Sequence, residues 1–388
     1  MSQQDAERGR PVALRVIARE WTRIGVTGFG GPPAHIALLH ELVVERTGWI
    51  DAAMFQDANA ACALLPGPAS TQLAILCALR VGGPAGATVG GLGFVLPSIC
   101  LVIALAAFVL SAATPLWVRG AAAGASAAVA AVALHAGRGL AGPSWRRSSA
   151  GGRARSRWAI YVAGGGVAAV IAGSALVAVL IACGLFELVA QRHDRGVVAI
   201  LALITGPAVA TGGAAAIAWT ALKVGALSFG GGFVIIPLMQ GDAVHVHHWM
   251  TAQRFLDAVV LGQITPGPVM STVAAVGYAA GGLGGALLAS AVAFAPSFAF
   301  VLAVGGHLER LRAEGAPRAF LDGAGPAAIG AILGAAIVLA AALGPAWQFA
   351  VLGLAAIALL ALRRGVVATL VLAAVIGTVA ALAGLPVP

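Results

Sequence analysis

Two motifs, FGGPPAHIALLHELV (residues 29–43) and LLPGPASTQLA (64–74), recur 200 residues later as FGGGFVIIPLM (229–239) and GQITPGPVMST (262–272). Across the two stretches that run from each FGG to each PGP, 14 of 40 positions are identical without a gap. The identities include Trp49 with Trp249 and Asp57 with Asp257, which a shared apolar composition does not align. The chain therefore contains two homologous halves.

The composition excludes most classes of protein. Of the 388 residues, 60% are hydrophobic and 10% are charged, and the mean hydropathy is +0.96. A soluble domain carries about 25% charged residues, so a soluble enzyme, a disordered scaffold and a secreted disulfide protein are excluded. The apolar segments, some of them short, predict an all-α polytopic membrane protein with about 10–13 transmembrane helices in a lipid bilayer. The expected spans include 21–44, 58–79 and 258–279.

Several chemistries have no support in the sequence. The four cysteines lie in apolar segments without CxxC spacing, which favours packing over a metal or redox site. P-loop, HExxH and GxSxG motifs are absent. We expect no cofactor and no enzyme activity. His245, His247 and His248 with Asp242 resemble a metal cluster, but the first half has no counterpart, so a solvated turn is the favoured interpretation.

The net charge of +9 comes from arginines between the apolar runs, which indicates orientation in the membrane and not nucleic-acid binding. The positive-inside rule places the arginine-rich side, including the 138–157 loop, in the cytoplasm together with the N-terminus. An extra span near 197–213 then reverses the second half. We expect inverted repeats at 13–190 and 214–385, joined by a linker with a connecting span at 191–213.

Each PGP motif predicts a helix that breaks and begins again, near Ala69 and near Val269. The free N–H groups of such a helix start favour an anion. Flanking hydroxyls and amides add donors, although simple kinks with back-bonded Ser and Thr are the alternative. The FGG glycines either line a site or pack helices. The substrate-binding candidates are Gly30, Gly31, Pro66, Gly67, Pro68, Ser70, Thr71, Lys223, Gly230, Gly231, Gln263, Thr265, Pro266, Gly267, Pro268 and Ser271.

Ionisable residues in apolar segments are further candidates. Asp57 and Asp257 are coupling or ion-pair candidates, with a helix-start acid as the alternative. Arg23 and Lys223 precede the two FGG motifs by the same spacing, which suits an anion path or two cations that snorkel to the interface. His35 is a weaker candidate.

The motif set FGGPPAH, LLPGPASTQ, FGGG and GQITPGP, with a tryptophan at 49 and at 249, resembles the chromate ion transporter family. The resemblance covers residues 13–385 and fits the long type with two homologous halves. It implies a bacterial inner-membrane protein that exports chromate and confers chromate resistance, with sulfate as a competing or alternative substrate. It also implies functional sensitivity at 29–32, 66–68, 229–232 and 266–268.

Export agrees with elementary energetics. A dianion that leaves a cell with a potential of 100 mV, negative inside, gains about 4.6 kcal/mol. Three alternatives remain open, namely a transporter of sulfate or another anion, an intramembrane enzyme, and a subunit of a larger membrane complex. A homodimer is also possible.

Overall fold

The structure is a computed structural model that describes residues 12–62, 67–110, 114–148, 152–171, 176–191, 212–228, 234–305 and 315–387. These residues form helices and no strands, so the predicted all-α polytopic fold is confirmed. The helices of the first half are α1 (Leu14–Thr27), α2 (Pro32–His40), α3 (Ala52–Cys62), α4 (Ala69–Val109), α5 (Leu116–Arg147), α6 (Gly152–Ile171) and α7 (Leu176–Ala190).

The second half repeats this order. Its helices are α8 (Ala214–Leu227), α9 (Ile235–Gln240), α10 (Ala252–Ile264), α11 (Thr272–Val304), α12 (Gly315–Ala341), α13 (Ala346–Ala356) and α14 (Val366–Leu382). A π-helical turn follows α2 at Glu41–Arg46 and another follows α9 at Gly241–Val246, at a shift of 200. The connecting span that the sequence predicts near 197–213 lies almost wholly outside the described residues.

The chain reverses between α1 and α2, so the span expected at 21–44 is not a single helix. Arg46 forms an ion pair with Glu20, whereas an unbroken helix would separate residues 26 apart by about 39 Å. The reversal occurs at Gly30 and Gly31, whose φ angles of 105° and 73° suit glycine. The helices α1 and α2 therefore form a hairpin that turns back at the FGG motif.

A second hairpin replaces the span expected at 58–79. Trp49, just before α3, stacks on Trp21 with ring centroids 6.5 Å apart. Trp21 also donates a hydrogen bond to the carbonyl of Ala74 in α4, at 2.8 Å. The chain thus approaches the PGP motif and leaves it on the same side. Each hairpin therefore begins and ends on one side, as a pair of membrane crossings would.

The longest helix, α4, is itself folded back at Gly83, where φ is 64° and ψ is −164°. A Cβ on Gly86 would lie 2.6 Å from the carbonyl oxygen of Ala78, although eight residues span about 12 Å in a continuous helix. The arm 69–82 therefore runs antiparallel to the arm 84–109. The arm 84–109 is about 39 Å long and sufficient to cross a bilayer. Helix α11 has the same break at Gly282.

The tips of these two folded helices point in opposite directions. Leu79, close to the tip at Gly83, lies beside Gly305, which is the far end of α11 from its own tip. Further along the same two helices, Gly91 of α4 packs against Phe298 of α11. Since Val12 N donates to Val81 O at 2.8 Å, the start of the described chain lies at the tip of α4.

Four helices among the described residues are long and apolar enough to cross a membrane, and four shorter apolar helices accompany them. The stretch 138–157, expected as a loop, is mostly helical because α5 continues to Arg147 and α6 begins at Gly152. Across the halves, α6 and α7 pack on α12, while α13 and α14 pack on α5. Glycines permit this close approach, as at Gly165 against Ala327 and Gly377 against Gly124.

We predict that Gly165→Ala lowers thermal stability while Gly164→Ala, one residue earlier in α6, does not. A Cβ on Gly165 overlaps the backbone carbonyl of Ala327, which cannot move without shifting α12, whereas a Cβ on Gly164 meets open space. Overpacking of this kind costs about 1–3 kcal/mol. The measurement is the thermal unfolding midpoint of both purified variants in detergent. Equal midpoints in the two variants would contradict this packing.

Candidate functional site at the two PGP breaks

The two PGP motifs dock reciprocally onto the opposite half of the chain. A Cβ on Gly67 would lie 3.4 Å from the Gly225 carbonyl oxygen and 3.4 Å from Ser297 Oγ. A Cβ on Gly267 would lie 3.4 Å from the Gly25 carbonyl oxygen and 3.2 Å from Ser98 Oγ. Gly25 and Gly225 are equivalent positions of the two repeats, and so are Ser98 and Ser297. Such an exchange is the pattern of a two-fold axis, and it brings both PGP breaks to one place.

This place lies at mid-depth of the molecule. Ser98 is near the midpoint of the arm 84–109, which is long enough to cross a bilayer. Gly267 is also held there by a direct bond, because its amide donates to the carbonyl oxygen of Gly28 at 3.0 Å. Gly31 completes the contact, since a Cβ on it would lie 3.7 Å from Val269. The first FGG turn and the second PGP break are therefore neighbours.

A helix begins directly after each PGP motif. The arm 69–82 starts at Ala69 after Pro68, so the predicted helix start is confirmed. In the second half a short 3₁₀ turn, Val269–Ser271, comes before α11, and this places the α-helical start at Thr272. Helix starts leave backbone N–H groups without partners in the helix, and they carry a partial positive charge. Both starts face the junction between the halves.

Five buried polar side chains around the breaks have side-chain atoms with no hydrogen-bond partner among the described residues. They are the hydroxyls of Thr71, Ser98, Ser271 and Ser297 and the Nε2 amide of Gln263. The four hydroxyl residues are fully buried. Buried polar groups are normally paired, so five unpaired ones around two helix starts indicate a place for a polar ligand. We call these five residues, with Gly67 and Gly267, the central site.

Ser98 and Ser297 were not among the sequence candidates. The signal that could find them is the recurrence of Pro97-Ser98 as Pro296-Ser297 at a shift of 199, which by itself indicates only duplication. They lie 30 residues from the PGP motifs in sequence, and only the folding back of α4 and α11 brings them to the opposite breaks. Their separation from the PGP motifs in sequence therefore gives no indication that they lie at the breaks.

Two hydroxyls near the second break, those of the candidate Thr265 and of Thr272, already donate to backbone carbonyls close to them in sequence. Thr265 Oγ1 donates to the Leu261 carbonyl at 2.8 Å, and Thr272 Oγ1 donates to the Val269 carbonyl at 2.8 Å. The back-bonding alternative therefore holds for these two residues. Thr265 has no hydroxyl proton left for a ligand in this arrangement.

The two halves differ beside the breaks. In the first half His35 is fully buried, with Nε2 3.0 Å from the Gly28 carbonyl and Nδ1 3.3 Å from Ser70 Oγ. In the second half Met270 replaces Ser70, and its sulfur accepts from Ser228 Oγ at 3.7 Å. The first break is therefore bordered by a titratable ring and the second by a thioether.

The paired cations are not free to meet a ligand. Lys223 Nζ lies 2.5 Å from Asp242 Oδ2 and is buried, and Thr220 Oγ1 donates to the same oxygen at 2.7 Å. Arg23 is exposed and lies 3.2 Å from Glu20. Asp242 is committed to Lys223, and no group of three potential metal ligands occurs in the described part of the chain. His245 lies in the π-helical turn Gly241–Val246, and His247 follows it directly.

The two aspartate candidates differ in how far they are buried. Asp257 is half-buried and accepts a hydrogen bond from Ser126 Oγ at 2.8 Å, whereas Asp57 is exposed. Neither is among the unpaired groups of the central site. Pro68, Pro266 and Pro268 flank the two PGP glycines. Pro66, Gly230 and Gly231 lie outside the described residues.

We predict that Asp242→Asn destabilises the protein by about 3–5 kcal/mol, because it leaves the Lys223 ammonium buried without a counter-charge. A combined Lys223→Met and Asp242→Leu variant should recover most of the loss, since it removes both charges. Glu20→Gln is the control in the first half, where the arginine partners are largely exposed and the effect should be about 1 kcal/mol or less. The thermal midpoint in detergent measures all three. No loss in Asp242→Asn would refute the buried pair.

Long apolar helices, broken hairpins that meet at mid-depth and an unpaired donor set between two homologous halves define a multi-pass membrane transporter. The chain belongs to the chromate transporter family, whose model matches residues 16–188 and 215–379.

Similar proteins carry matching names. A chromate transport protein of Cupriavidus metallidurans is 34% identical over 84% of this chain and 82% of its own length. A chromate transport protein of Pseudomonas aeruginosa is 31% identical over 85% and 82%. A probable chromate transport protein of Synechococcus elongatus is 29% identical over 84% of both chains. No solved structure matches this chain.

Proposed function

We propose that this protein exports chromate from a bacterial cell and binds it at the central site between two inverted repeats. The observation that carries the proposal is the set of unpaired buried donors at two helix starts. Chromate is a tetrahedral dianion, and a bare dianion in the bilayer core is prohibitive, since even one buried ion costs on the order of 20 kcal/mol by Born estimates. Hydroxyls, an amide and helix N-termini replace its water.

The donor set is neutral, so it does not remove the charge of the ion. The cations nearest in sequence are paired with acids. A dianion moved outward through such a site therefore retains the drive of the membrane potential, about 4.6 kcal/mol at 100 mV. That energy corresponds to a concentration ratio of roughly two thousand. Neutral donors and a negative-inside potential together favour export over uptake.

The opposed tips of α4 and α11 support the inverted arrangement. In an inverted repeat, equivalent segments cross the membrane in opposite senses, and the substrate lies near the midplane between them. We propose that the tip at Gly83 and the N-terminus lie in the cytoplasm, where the positive-inside rule places the arginines. The tip at Gly282 then faces outward.

We predict that Ser98→Ala and Ser297→Ala each weaken chromate transport by about tenfold to a hundredfold, the usual cost of one lost hydrogen bond to a charged group. Ser290→Ala is the matched control, because Ser290 is buried on the same helix as Ser297 but donates to its own helix at Ala286 O, 2.7 Å away. The measurement is chromate uptake by energised inverted membrane vesicles, in which export appears as uptake.

Sulfate as a competitor tests the selectivity of the same site. Suppression of chromate uptake by sulfate indicates a shared oxyanion site, and indifference to sulfate indicates a site selective for chromate. No uptake, with the protein confirmed in the membrane, would contradict chromate export. Equal losses in Ser290→Ala and Ser297→Ala would place the substrate elsewhere.

We predict that single cysteines at the two tips react from opposite sides of the membrane. Ala85→Cys and Gly284→Cys are placed at exposed positions beside Gly83 and Gly282. The background carries alanine at all four native cysteines. A membrane-impermeant maleimide should label position 284 in intact spheroplasts and position 85 only in inverted vesicles. Labelling of both from one side would show parallel repeats.

A further inference from the structure

His35 is the buried titratable group that the central site does not yet use. It lies on α2, directly after the FGG turn, and its side chain is fully buried. A carbonyl oxygen only accepts hydrogen bonds, so Nε2, 3.0 Å from the Gly28 carbonyl, must carry the proton. In the neutral ring Nδ1 then accepts from Ser70 Oγ, 3.3 Å away.

This ring is connected to both PGP breaks. Ser70 lies in the first turn of the arm that follows the first break. The Gly28 oxygen also accepts the amide of Gly267, at 3.0 Å, from the second break. The imidazole and the Gly267 amide share one acceptor, so they are no further apart than twice 3.0 Å. No other histidine in the described residues touches either break.

The described residues around His35 supply no counter-charge to its ring. Its ring meets the edge of Phe94, with centroids 5.1 Å apart. None of the titratable side chains that the structure describes on the neighbouring elements forms an ion pair with it. Those side chains are Arg15, Arg19, Glu20 and Arg23 on α1, His40 on α2, Glu41, Glu45 and Arg46 in the π-helical turn, Asp57 and Cys62 on α3, Cys77, Arg80 and Cys100 on α4, and Tyr278 on α11.

We propose that His35 takes up one proton when an oxyanion enters the central site and releases it when the oxyanion leaves. The inference rests on the proposed oxyanion site. An imidazolium in apolar surroundings needs a nearby negative charge, and a dianion among the donors supplies one. The proton comes from solvent and binds Nδ1, while Nε2–H keeps its bond to Gly28. Nδ1–H then donates to Ser70 Oγ, so the Ser70 hydroxyl proton turns toward the ligand at the helix start.

Proton uptake with the anion has two consequences. Binding becomes tighter as pH falls, by up to about tenfold per pH unit when one proton accompanies each anion. The transported unit also carries one negative charge instead of two, which halves the drive from the membrane potential to about 2.3 kcal/mol at 100 mV.

The test is chromate binding to the purified protein from about pH 7 to about pH 8.5, near the range where histidine titrates. We expect the wild-type dissociation constant to fall as pH is lowered, by several-fold across this range, together with uptake of up to one proton per anion in lightly buffered solution. His35→Gln keeps a neutral polar side chain but cannot titrate. It should match wild type at the alkaline end and lose the pH slope and the proton uptake.

The matched control is His40→Gln. His40 lies on the same helix but is partly exposed and pairs with Glu45 at 3.1 Å, so this variant should keep the wild-type slope. Ser70→Ala leaves the ring able to titrate and should retain proton uptake with weaker binding. A pH slope that persists in His35→Gln, or no slope in wild type, would overturn the role of His35. No chromate binding at any pH would instead overturn the proposed oxyanion site.

Discussion

The interaction on which this structure depends is the reciprocal docking of each PGP glycine onto the backbone of the opposite half. A broken helix at membrane depth exposes N–H and C=O groups that lipid cannot satisfy, so irregular backbone is stable there only when protein or a water-filled cavity surrounds it. The Gly267 amide is satisfied by the Gly28 carbonyl, and Gly67 lies against Gly225 and Ser297. Each break is therefore shielded in part by the opposite half.

This constraint explains the hairpins. A helix that ends at mid-depth must either continue or return, and Gly30 and Gly31 of the first FGG motif, with the glycines of both PGP motifs, provide the dihedral angles for return. The arm 84–109 and α12 are among the helices that are long and apolar enough to supply the full membrane crossing. Glycines bring helices of opposite halves into backbone contact, as Gly165 does at Ala327. In a membrane such packing substitutes for the hydrophobic drive that lipid cannot provide.

The two halves have the same order of helices, but they carry different polar side chains. The second half carries the buried Lys223–Asp242 pair, and the first half carries His35 with Ser70. The unpaired hydroxyls of the central site remain matched across the halves, at 71 with 271 and at 98 with 297. Symmetry is thus retained where a tetrahedral ion is proposed to lie between the repeats. The two halves differ in these other polar side chains.

The membrane class, the duplication, the family and the helix break before Ala69 follow from the amino-acid sequence, because composition, repeated motifs and the chemistry of proline and glycine are local properties. It did not reveal the hairpins, since an apolar segment of about 20 residues has the same composition whether it crosses the membrane or turns back. Nor did it reveal Ser98 and Ser297 as site residues, or Thr265 as a residue already bonded to its own helix. Those facts depend on which segments meet across the repeat interface, because the burial and the hydrogen-bond partners of side chains distant in sequence are set when the chain folds.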